Sequence, residues 1–389
     1  MDTPYFLIKK QELDSNFEKL KNALNKYWSN SIIGYSYKTN SLPWVINYFK
    51  NNSCFAEVVS DDEYNLAKQV SDDKSKIIYN GPIKTKETFI EALQNGCIVN
   101  IDSKRELEWL ESLDSNPSYL IGLRVNFDLE SSCPNQTACG DEGGRFGFCL
   151  ENGEFEKAVR RVKDCGFEVA GIHLHTSSKT RSIQIYQAIA QTADKISNLY
   201  GLKLKFIDIG GGFFGGLENK PQFDDYLKEI SEILKLNYNE SETTLIVEPG
   251  MSLIGSPVSF VTSVIDVKDT VKNRFVVTDG SRINIDPLMK KTGYFYSFDY
   301  VADSTNVLPK QVICGFTCME NDRLFTAENC AELKVGDRII YNKVGAYTMC
   351  LSPLFIKYFP SVYLDDNGKL ILLRDKWTYA EYMAKSNVW

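Results

Sequence analysis

The stretch that decides the fold is Ser31-Ile-Ile-Gly-Tyr-Ser-Tyr-Lys-Thr-Asn40. It reads as a buried strand that ends on Lys38, with Gly34, Ser36 and Lys38 on one face and bulky side chains on the other. An isolated buried ammonium is costly, so such a lysine needs a partner. One good partner is an aldehyde, because a desolvated lysine has a lowered pKa and readily forms a Schiff base. The alternative is a lysine that marks the strand end and points into water.

Short β-rich runs recur along the next two hundred or so residues and alternate with helical patterns. The runs lie at 31–38, 54–60, 76–80, 97–102, 119–126, 169–177, 204–210 and 243–250. The helical patterns lie near 42–51, 61–71, 85–95, 103–113, 153–165, 180–200 and 220–236, after a first helix predicted from an Asp14-Ser15 cap to Tyr27. This alternation predicts an α/β fold, either a (β/α)8 TIM-type barrel or a doubly wound open sheet.

The polar residues at the strand ends separate these two folds. In chain order they are Lys38, Ser60, Asn80, Asp102, Arg124 with Asn126, His175, Gly210 to Gly212, and Glu248. In a barrel these ends converge on one mouth, whereas in an open sheet they would be strung along an edge. A single site that draws on the first and last strands therefore favours the barrel.

The pattern changes after about residue 255. Short β-rich runs are now separated by turn signals such as Asp279-Gly280 and Asp366-Asn367-Gly368, which predicts a mostly antiparallel β domain. A short apolar run at 4–9 precedes the barrel and is expected to join this domain. The predicted organisation is a barrel at 11–255 and a β domain made of 1–10 and 256–389.

The composition narrows the class of protein. The chain has 389 residues and a net charge of −7, which argues against a nucleic-acid partner. It shows neither a signal peptide nor an apolar run of membrane-spanning length, so we expect no membrane contact and a cytoplasmic location. The ten scattered cysteines then read as reduced thiols, and two histidines are too few for a multi-histidine metal site.

Four features of the chain could carry chemistry. Gly210-Gly211-Gly212 exposes backbone amides that suit a phosphate, although three glycines can also form a plain tight turn. His173 is expected to be a hydrogen-bonded interior residue, while His175, nearer the mouth, could stack on a planar ring. Glu248 needs a cation, a protonated ring nitrogen or a salt bridge to a neighbouring Arg or Lys. Cys318 could deliver a proton, although with ten cysteines any one is more often inert. With the lysine, these parts fit pyridoxal phosphate.

A resemblance supports this interpretation. The chain resembles the fold-type III pyridoxal-phosphate decarboxylases, the group of ornithine, arginine and diaminopimelate decarboxylases that shares its fold with alanine racemase. The resembling segments are Tyr-Lys-Thr-Asn at 37–40, Ala-Glu-Val-Val-Ser at 56–60, Leu-Arg-Val-Asn at 123–126, Arg-Phe-Gly at 145–147, Gly-Ile-His-Leu-His at 171–175, Asp-Ile-Gly-Gly-Gly-Phe at 208–213, Glu-Pro-Gly at 248–250, Cys318, and Gly-Ala-Tyr-Thr at 345–348.

The resemblance implies a role for each matching residue. Lys38 would hold the cofactor as a Schiff base, His175 would stack on its ring, and Glu248 would keep the ring nitrogen protonated. The phosphate would be held by Ser178, Gly211, Gly212 and Tyr347.

The resemblance also implies an obligate homodimer. Cys318 would reach the partner subunit's site and reprotonate Cα after carbon dioxide leaves, so the β domain would complete its neighbour's active site. The implied activity is decarboxylation of an amino acid. An amino-acid racemase on the same fold and a catalytically silent regulatory homologue are the alternatives.

Two positions depart from the family pattern. Members commonly carry Arg directly after Glu-Pro-Gly, where it pairs with the phosphate, but this chain has Met251. Members also commonly carry Asp or Glu directly after the cysteine, where it reads the far end of the substrate, but this chain has Met319. Glu320 and Asp322 are the nearby acids that could take that part. We therefore expect a non-standard amino-acid substrate, from a secondary-metabolite, siderophore or surface-polysaccharide pathway.

Overall fold

The computed structural model describes residues 1–301 and 306–387. The chain divides into two compact units, 17–252 and 1–16 with 253–389. The first unit contains strands β2 (Ser31–Ser36), β3 (Phe55–Ser60), β4 (Ile77–Ile83), β5 (Ile98–Ile101), β6 (Leu120–Asn126), β7 (Phe148–Cys149), β8 (Gly171–His173), β9 (Phe206–Asp208) and β10 (Thr244–Val247). Its helices are α2 (Pro43–Asn51), α3 (Asp61–Val70), α4 (Lys86–Gln94), α5 (Lys104–Leu110), α6 (Leu129–Ser132), α7 (Glu154–Asp164), α8 (Ile183–Tyr200) and α9 (Phe223–Leu234). The units divide within α1 (Lys10–Tyr27) and just inside α10 (Met251–Ile254).

Eight parallel strands of the first unit close into a barrel. Their order is β5-β4-β3-β2-β10-β9-β8-β6, and β5 pairs with β6 to complete the ring, with β7 attached to β6. The predicted barrel is therefore confirmed. Its interior is packed around Phe206, which lies with Ile78, Ile98, Ala170 and Ile246 in one buried apolar cluster. A Cβ added at Gly171, on the neighbouring strand, would lie 2.3 Å from the Phe206 ring. That glycine is required by the size of Phe206, since two side chains cannot share the space.

Two local features differ from the sequence-based prediction: the end of the first barrel strand and the start of the first helix. The first barrel strand ends at Ser36, and Lys38 lies in a 3-10 turn at Tyr37–Thr39 rather than in the strand. The first helix begins at Lys10, so the predicted Asp14-Ser15 cap is wrong. Asp14 lies inside the helix and accepts a 2.8 Å bond from Lys10, one turn earlier. An acid at this spacing supports a helix through an i,i+4 pair and resembles a cap in the sequence.

The second unit is a mixed, mostly antiparallel sheet. Its strands are β1 (Tyr5–Lys9), β11 (Val258–Asp269), β12 (Arg274–Thr278), β13 (Phe295–Asp299), β14 (Val307–Cys314), β15 (Arg323–Ala331), β16 (Arg338–Asn342), β17 (Ser361–Asp366) and β18 (Lys369–Arg374), with short helices α11 (Arg282–Ile285) and α12 (Tyr379–Met383). Strand β1 lies between β11 and β17, antiparallel to the first and parallel to the second. A second parallel pair joins β12 to β14.

The boundaries between the two units lie after residues 16 and 252, a few residues from the expected boundaries after residues 10 and 255. Asn16 donates hydrogen bonds to the Leu253 carbonyl at 3.1 Å and the Ser256 hydroxyl at 2.9 Å, so the start of α1 belongs to the second unit. No helix in the described residues is long and apolar enough to cross a bilayer.

Candidate active site

The amine of Lys38 lies at the mouth of the barrel against a buried carboxylate. Ser36 pairs in register with Glu57 of the neighbouring strand, which brings Glu57 close to the turn that follows β2. Lys38 Nζ donates to Glu57 Oε2 at 2.6 Å, and the side chains are 37% and 1% exposed, respectively. The lysine therefore has one end in contact with a buried anion and remains open enough to meet a ligand.

Two asparagines connect this pair to the carboxylates at the far side of the mouth. Asn80 Nδ2 donates to Glu57 Oε1 at 3.0 Å and also to Glu248 Oε1. Asn100 Nδ2 donates to Asn80 Oδ1 at 2.8 Å and to Asp208 Oδ2 at 3.3 Å. The network therefore runs from Glu57 on strand β3 to Glu248, directly after strand β10, through buried side chains. It fixes the carboxylates of Glu248 and Asp208 in place.

The two carboxyl groups at the end of the network differ in protonation. Burial and the charge of Glu248 raise the pKa of Asp208 well above its usual value. Burial also opposes ionisation of Glu248, but His173, Lys38 and the hydrogen bond with Asp208 together lower the pKa of Glu248. One proton shared by a buried pair is the expected outcome, since two adjacent buried charges repel. Glu248 is therefore the anion and Asp208 the proton donor that supports it.

His173 completes this end of the site. Its Nε2 lies 3.4 Å from Glu248 Oε2, yet neither ring nitrogen has a hydrogen-bond partner in the described part of the chain. The interior position expected of His173 is confirmed, at 2% exposure, but the expected hydrogen bonding is reduced to the long contact between Nε2 and Glu248. His173, Asp208 and Glu248 offer ligand atoms within 4.8 Å of one another, as a metal centre would. A protonated Asp208 is a poor ligand, however, because metals bind the deprotonated carboxylate.

His175 is held as a neutral ring just beyond strand β8. It lies nearly parallel to His173, with ring centroids 6.3 Å apart and 11° between planes. The backbone N–H of Gly211 donates to His175 Nδ1 at 3.3 Å, which leaves the proton on Nε2. Burial and then the charge of Arg124 lower the pKa of His175 to about 3. A neutral imidazole with an open face is suited to stacking on a flat, cationic ring.

Arg124 itself is fixed from two sides. Its guanidinium binds Asp102 Oδ2 at 2.7 Å and reaches the His175 carbonyl at 3.4 Å, while the other Asp102 oxygen accepts from the Gly147 amide at 3.0 Å. Arg124 Nε is buried without a hydrogen-bond partner among the described residues. The arginine therefore sets the position of the backbone at His175 and contributes a fixed positive charge beside it.

The glycine-rich loop after β9 approaches other backbone very closely. Gly210 and Gly212 have φ of +68° and +95°, which side-chain-bearing residues rarely adopt. A Cβ at Gly211 would lie 2.0 Å from the Glu248 carbonyl oxygen. Tyr186 donates to the Gly211 carbonyl at 3.1 Å and fixes the loop from behind. The loop is thus preformed, and the amides of Gly210 and Gly211 donate within the protein, to Asp208 Oδ1 at 2.9 Å and to His175 Nδ1 at 3.3 Å.

The second unit carries the remaining candidates. Cys318 and Glu320 are exposed, and Glu320 pairs with Arg323 at 3.2 Å. Tyr347 has a φ of +55° and is 39% exposed.

Asp322 is buried at 2% exposure and organises the turn that carries Cys318. Its carboxylate accepts from the Ser281 hydroxyl at 2.8 Å and the Arg282 amide at 2.9 Å. It also accepts from the amide and hydroxyl of Thr317 at 3.0 and 2.6 Å. These bonds favour a structural role, and a substrate contact by Asp322 stays a prediction.

The barrel residues match the chemical needs of pyridoxal phosphate. An amine faces the mouth for the aldehyde, an ionised carboxylate is available for a protonated ring nitrogen, and a neutral imidazole offers a face. Buried nitrogens of His173 and Arg124 without partners in the described chain indicate a polar ligand. The match to a protein family decides the matter, since the model for the pyridoxal binding domain of pyridoxal-dependent decarboxylases covers residues 10–255.

The chain belongs to this family. It is similar along nearly its whole length to a probable chloroplastic diaminopimelate decarboxylase of Oryza sativa, at 27% identity over 98% of this chain and 79% of that protein. The diaminopimelate decarboxylase of Aquifex aeolicus is 25% identical over 99% of this chain and 92% of its own. The crystal structure of diaminopimelate decarboxylase from M. jannaschii superposes with a TM-score of 0.87 at 22% identity, covering 100% and 93% of the two chains. An arginine decarboxylase of Paramecium bursaria Chlorella virus superposes at 0.79 and 20% identity, covering 94% and 96%.

The protein is thus a pyridoxal-phosphate-dependent amino-acid decarboxylase, a carbon–carbon lyase. The lowered pKa of Glu248 keeps the carboxylate at the end of the hydrogen-bond network anionic.

The sequence reasoning missed three members of this decarboxylase site. Glu57 lies inside a segment that was recognised, but it was not identified as the partner of Lys38. Asp208 was read only as part of a glycine motif, although a carboxylate in a buried run always needs a partner. Asn100 lies in an apolar run, where a lone amide is a signal of a buried hydrogen-bond network.

Proposed function

We propose that the decarboxylase acts on an amino acid whose distal end is bulkier than a simple terminal ammonium, or carries a carboxylate or amide, as in a secondary-metabolite, siderophore or surface-polysaccharide pathway. The observation that carries the proposal is the turn after Cys318. Met319 stands where the family resemblance leads us to expect an acid, Asp322 is buried among four internal donors, and Glu320 is paired with Arg323. The turn therefore offers a terminal ammonium no acid in the usual position.

The residues of the barrel would perform the chemistry as follows. When bound, pyridoxal phosphate supplies an aldehyde that condenses with amines and a cationic ring that accepts the electrons released with carbon dioxide. Lys38 would hold the cofactor and exchange it with the substrate amine, and Glu57 would keep the lysine at the mouth. Glu248 would accept the hydrogen bond of the protonated ring nitrogen, supported by Asp208. His175, being neutral, would stack on the ring without opposing its charge.

Four residues are proposed to bind the phosphate: Ser178, Gly211, Gly212 and Tyr347. The support for Gly211 and Gly212 is the preformed loop, with its close backbone approach and positive φ. Ser178 lies in the neighbouring loop after β8, where its hydroxyl accepts from the Arg181 amide at 3.0 Å.

We also propose a homodimer in which Cys318 works in the partner's site and returns a proton to Cα. The support is its exposure on the turn of the second unit that Asp322 holds in place. Mixing inactive Lys38→Ala and Cys318→Ala chains should restore part of the activity, because each heterodimer then has one intact site. No recovery, with subunit exchange proven by native mass spectrometry, would show that both residues act within one chain. A reducing cytoplasm is the proposed location, supported by ten free cysteines.

The substrate proposal is tested by release of carbon dioxide from ornithine, lysine, arginine, diaminopimelate and carboxylated or conjugated diamino acids. A missing carboxylate partner for a buried ammonium costs about 3–5 kcal/mol, a factor of roughly one hundred to several thousand. Ornithine and lysine should therefore be poor substrates. Turnover of either at kcat/KM of about 10⁴ M⁻¹s⁻¹ or more would refute the proposal.

Diaminopimelate, a standard amino-acid substrate whose distal end also carries a carboxylate, is the second candidate. It is favoured by the relatives named diaminopimelate decarboxylase, which match this chain over nearly its whole length. Its distal end carries both an ammonium and a carboxylate, so a basic side chain of the protein could bind it in place of an acidic one. In the same screen, preference for diaminopimelate over every conjugated diamino acid would select this candidate.

A further inference from the structure

The family's phosphate-binding arginine is missing, because position 251 is methionine. Two other cations flank the glycine-rich loop of the barrel unit. The guanidinium carbon of Arg181 lies 5.2 Å from the centroid of the Phe214 ring, and Lys220 Nζ lies 5.4 Å from the same ring. Phe214 follows Gly212 by two residues, so both charges are near the loop expected to hold the phosphate.

Arg181 is the less exposed of the two cations. Its amide donates to the Ser178 hydroxyl at 3.0 Å, and its carbonyl accepts from the Tyr226 hydroxyl at 2.6 Å. Its backbone is fixed at a φ of +51°. Lys220 is exposed, and its backbone is bonded in a similar way, with its amide donating to the Leu217 carbonyl at 3.3 Å and its carbonyl accepting from the Gln222 side chain.

The charge of Arg181 is felt at the glycine loop itself. Tyr186 donates to the Gly211 carbonyl at 3.1 Å. Burial raises the pKa of that tyrosine, and the charge of Arg181 opposes the rise. The guanidinium is therefore within electrostatic range of a hydroxyl that is bonded to Gly211.

A second segment of the barrel unit holds the Arg181 region in place. Gln136 Oε1 accepts from the Thr180 hydroxyl at 2.8 Å and from the Ser182 hydroxyl, and its carbonyl accepts from the Lys179 amide at 2.7 Å. Residues on both sides of Arg181 are thus tied to one side chain. A cation on a preorganised segment loses little entropy when it binds an anion.

We propose that Arg181 supplies the positive charge that binds the cofactor phosphate, in place of the arginine that family members carry at the position of Met251. The segment that contains Arg181 begins at Ser178, which is expected to contact the phosphate. The charge of Arg181 also acts near Gly211, which is expected to contact the phosphate as well. The inference depends on the cofactor and not on which amino acid is the substrate.

The test is binding rather than turnover. The protein, freed of cofactor, is titrated with pyridoxal phosphate and with pyridoxal, which lacks the phosphate, and the absorbance of the lysine adduct is followed. Arg181→Met should weaken binding of pyridoxal phosphate by about 10- to 100-fold, the effect of one charge-assisted contact, and leave pyridoxal binding within about twofold. Arg181→Lys should recover part of the loss, and Lys220→Met is the matched control that should change neither ligand.

The double variant Arg181→Met with Met251→Arg returns the family's cation and should regain phosphate-dependent affinity. Equal weakening of both ligands by Arg181→Met would overturn the proposal, because the residue would then act through the fold or the ring. Unchanged binding of pyridoxal phosphate, or a selective loss in Lys220→Met instead, would overturn it as well. Circular dichroism of each variant confirms that it is folded.

Discussion

Replacing Lys84 with methionine should be one of the most destabilising single changes in the barrel. Lys84 follows strand β4, and its side chain is fully buried. Its ammonium donates to the Gly81 carbonyl at 2.6 Å, the Asn100 carbonyl at 3.0 Å and Glu106 Oε1 at 3.0 Å. The other oxygen of Glu106 accepts from the Asp102 amide at 2.6 Å. One lysine therefore ties together the ends of strands β4 and β5 and the helix α5 that follows β5.

The expected loss follows from this geometry. Two charges 3.0 Å apart attract by about 5.5 kcal/mol at an effective dielectric constant of about 20. Methionine fills most of the space but leaves the Glu106 charge buried without its partner. Removing one member of a buried pair costs about 3–5 kcal/mol, and two carbonyls also lose their donor. We expect Lys84→Met to lower the free energy of unfolding by about 3–5 kcal/mol.

Equilibrium urea unfolding, followed by far-ultraviolet circular dichroism, measures the loss. Lys104→Met is the control, because its ion pair with Glu154 has a lysine side chain that is 74% exposed and should contribute about 1 kcal/mol or less. The double variant Lys84→Met with Glu106→Gln should be less destabilised than the single variant, since the uncompensated charge is gone. A loss below about 1 kcal/mol in Lys84→Met would refute the reasoning.

Three further predictions concern the site. Borohydride reduction and digestion should place the pyridoxyl adduct on Lys38, and an adduct on another lysine would exclude that residue as the attachment point. The pKa of His175 is lowered to about 3 in the folded state, whereas its usual value in the unfolded chain is about 6.5. Between these two values the unfolded chain binds more protons, so this group lowers the free energy of unfolding by about 1.4 kcal/mol for each unit by which the pH decreases. His175→Gln should reduce the slope of unfolding free energy against pH by that amount, and equal slopes would contradict it. Gly211→Ala should destabilise the protein by about 1–3 kcal/mol because its Cβ would meet the Glu248 carbonyl at 2.0 Å, whereas the control Gly144→Ala, with open space around it, should be near neutral in thermal unfolding.

The barrel could be predicted because its signal is repeated along the chain. Eight short apolar runs alternate with helical patterns, and each run ends on a polar residue. The exact end of a strand is set by local hydrogen bonding, which the residue types hardly report. That is why Lys38 was placed in the strand and not in the 3-10 turn that follows it. The parallel pairing of β12 with β14 was also not visible, because it joins segments separated by another strand.

The site was predicted in part for a similar reason. Residues at strand ends, such as Glu248, are recognisable because a charge there interrupts an apolar run. The partners that decide protonation are harder to find, since they depend on neighbours across strands. Glu57 and Asp208 illustrate this, because one meets a lysine in the turn after the adjacent strand and the other shares a proton with Glu248.

The buried carboxylate of Asp322 has a consequence for how such an enzyme changes its preferences. All four of its bonds are made to residues 281, 282 and 317, so the turn keeps its shape whatever is presented at positions 318–321. Exposed side chains there contribute little to folding, and substitutions among them are nearly neutral for stability. New charges can therefore be tried at this turn without a folding penalty, so the range of accepted molecules can drift while the scaffold stays unchanged.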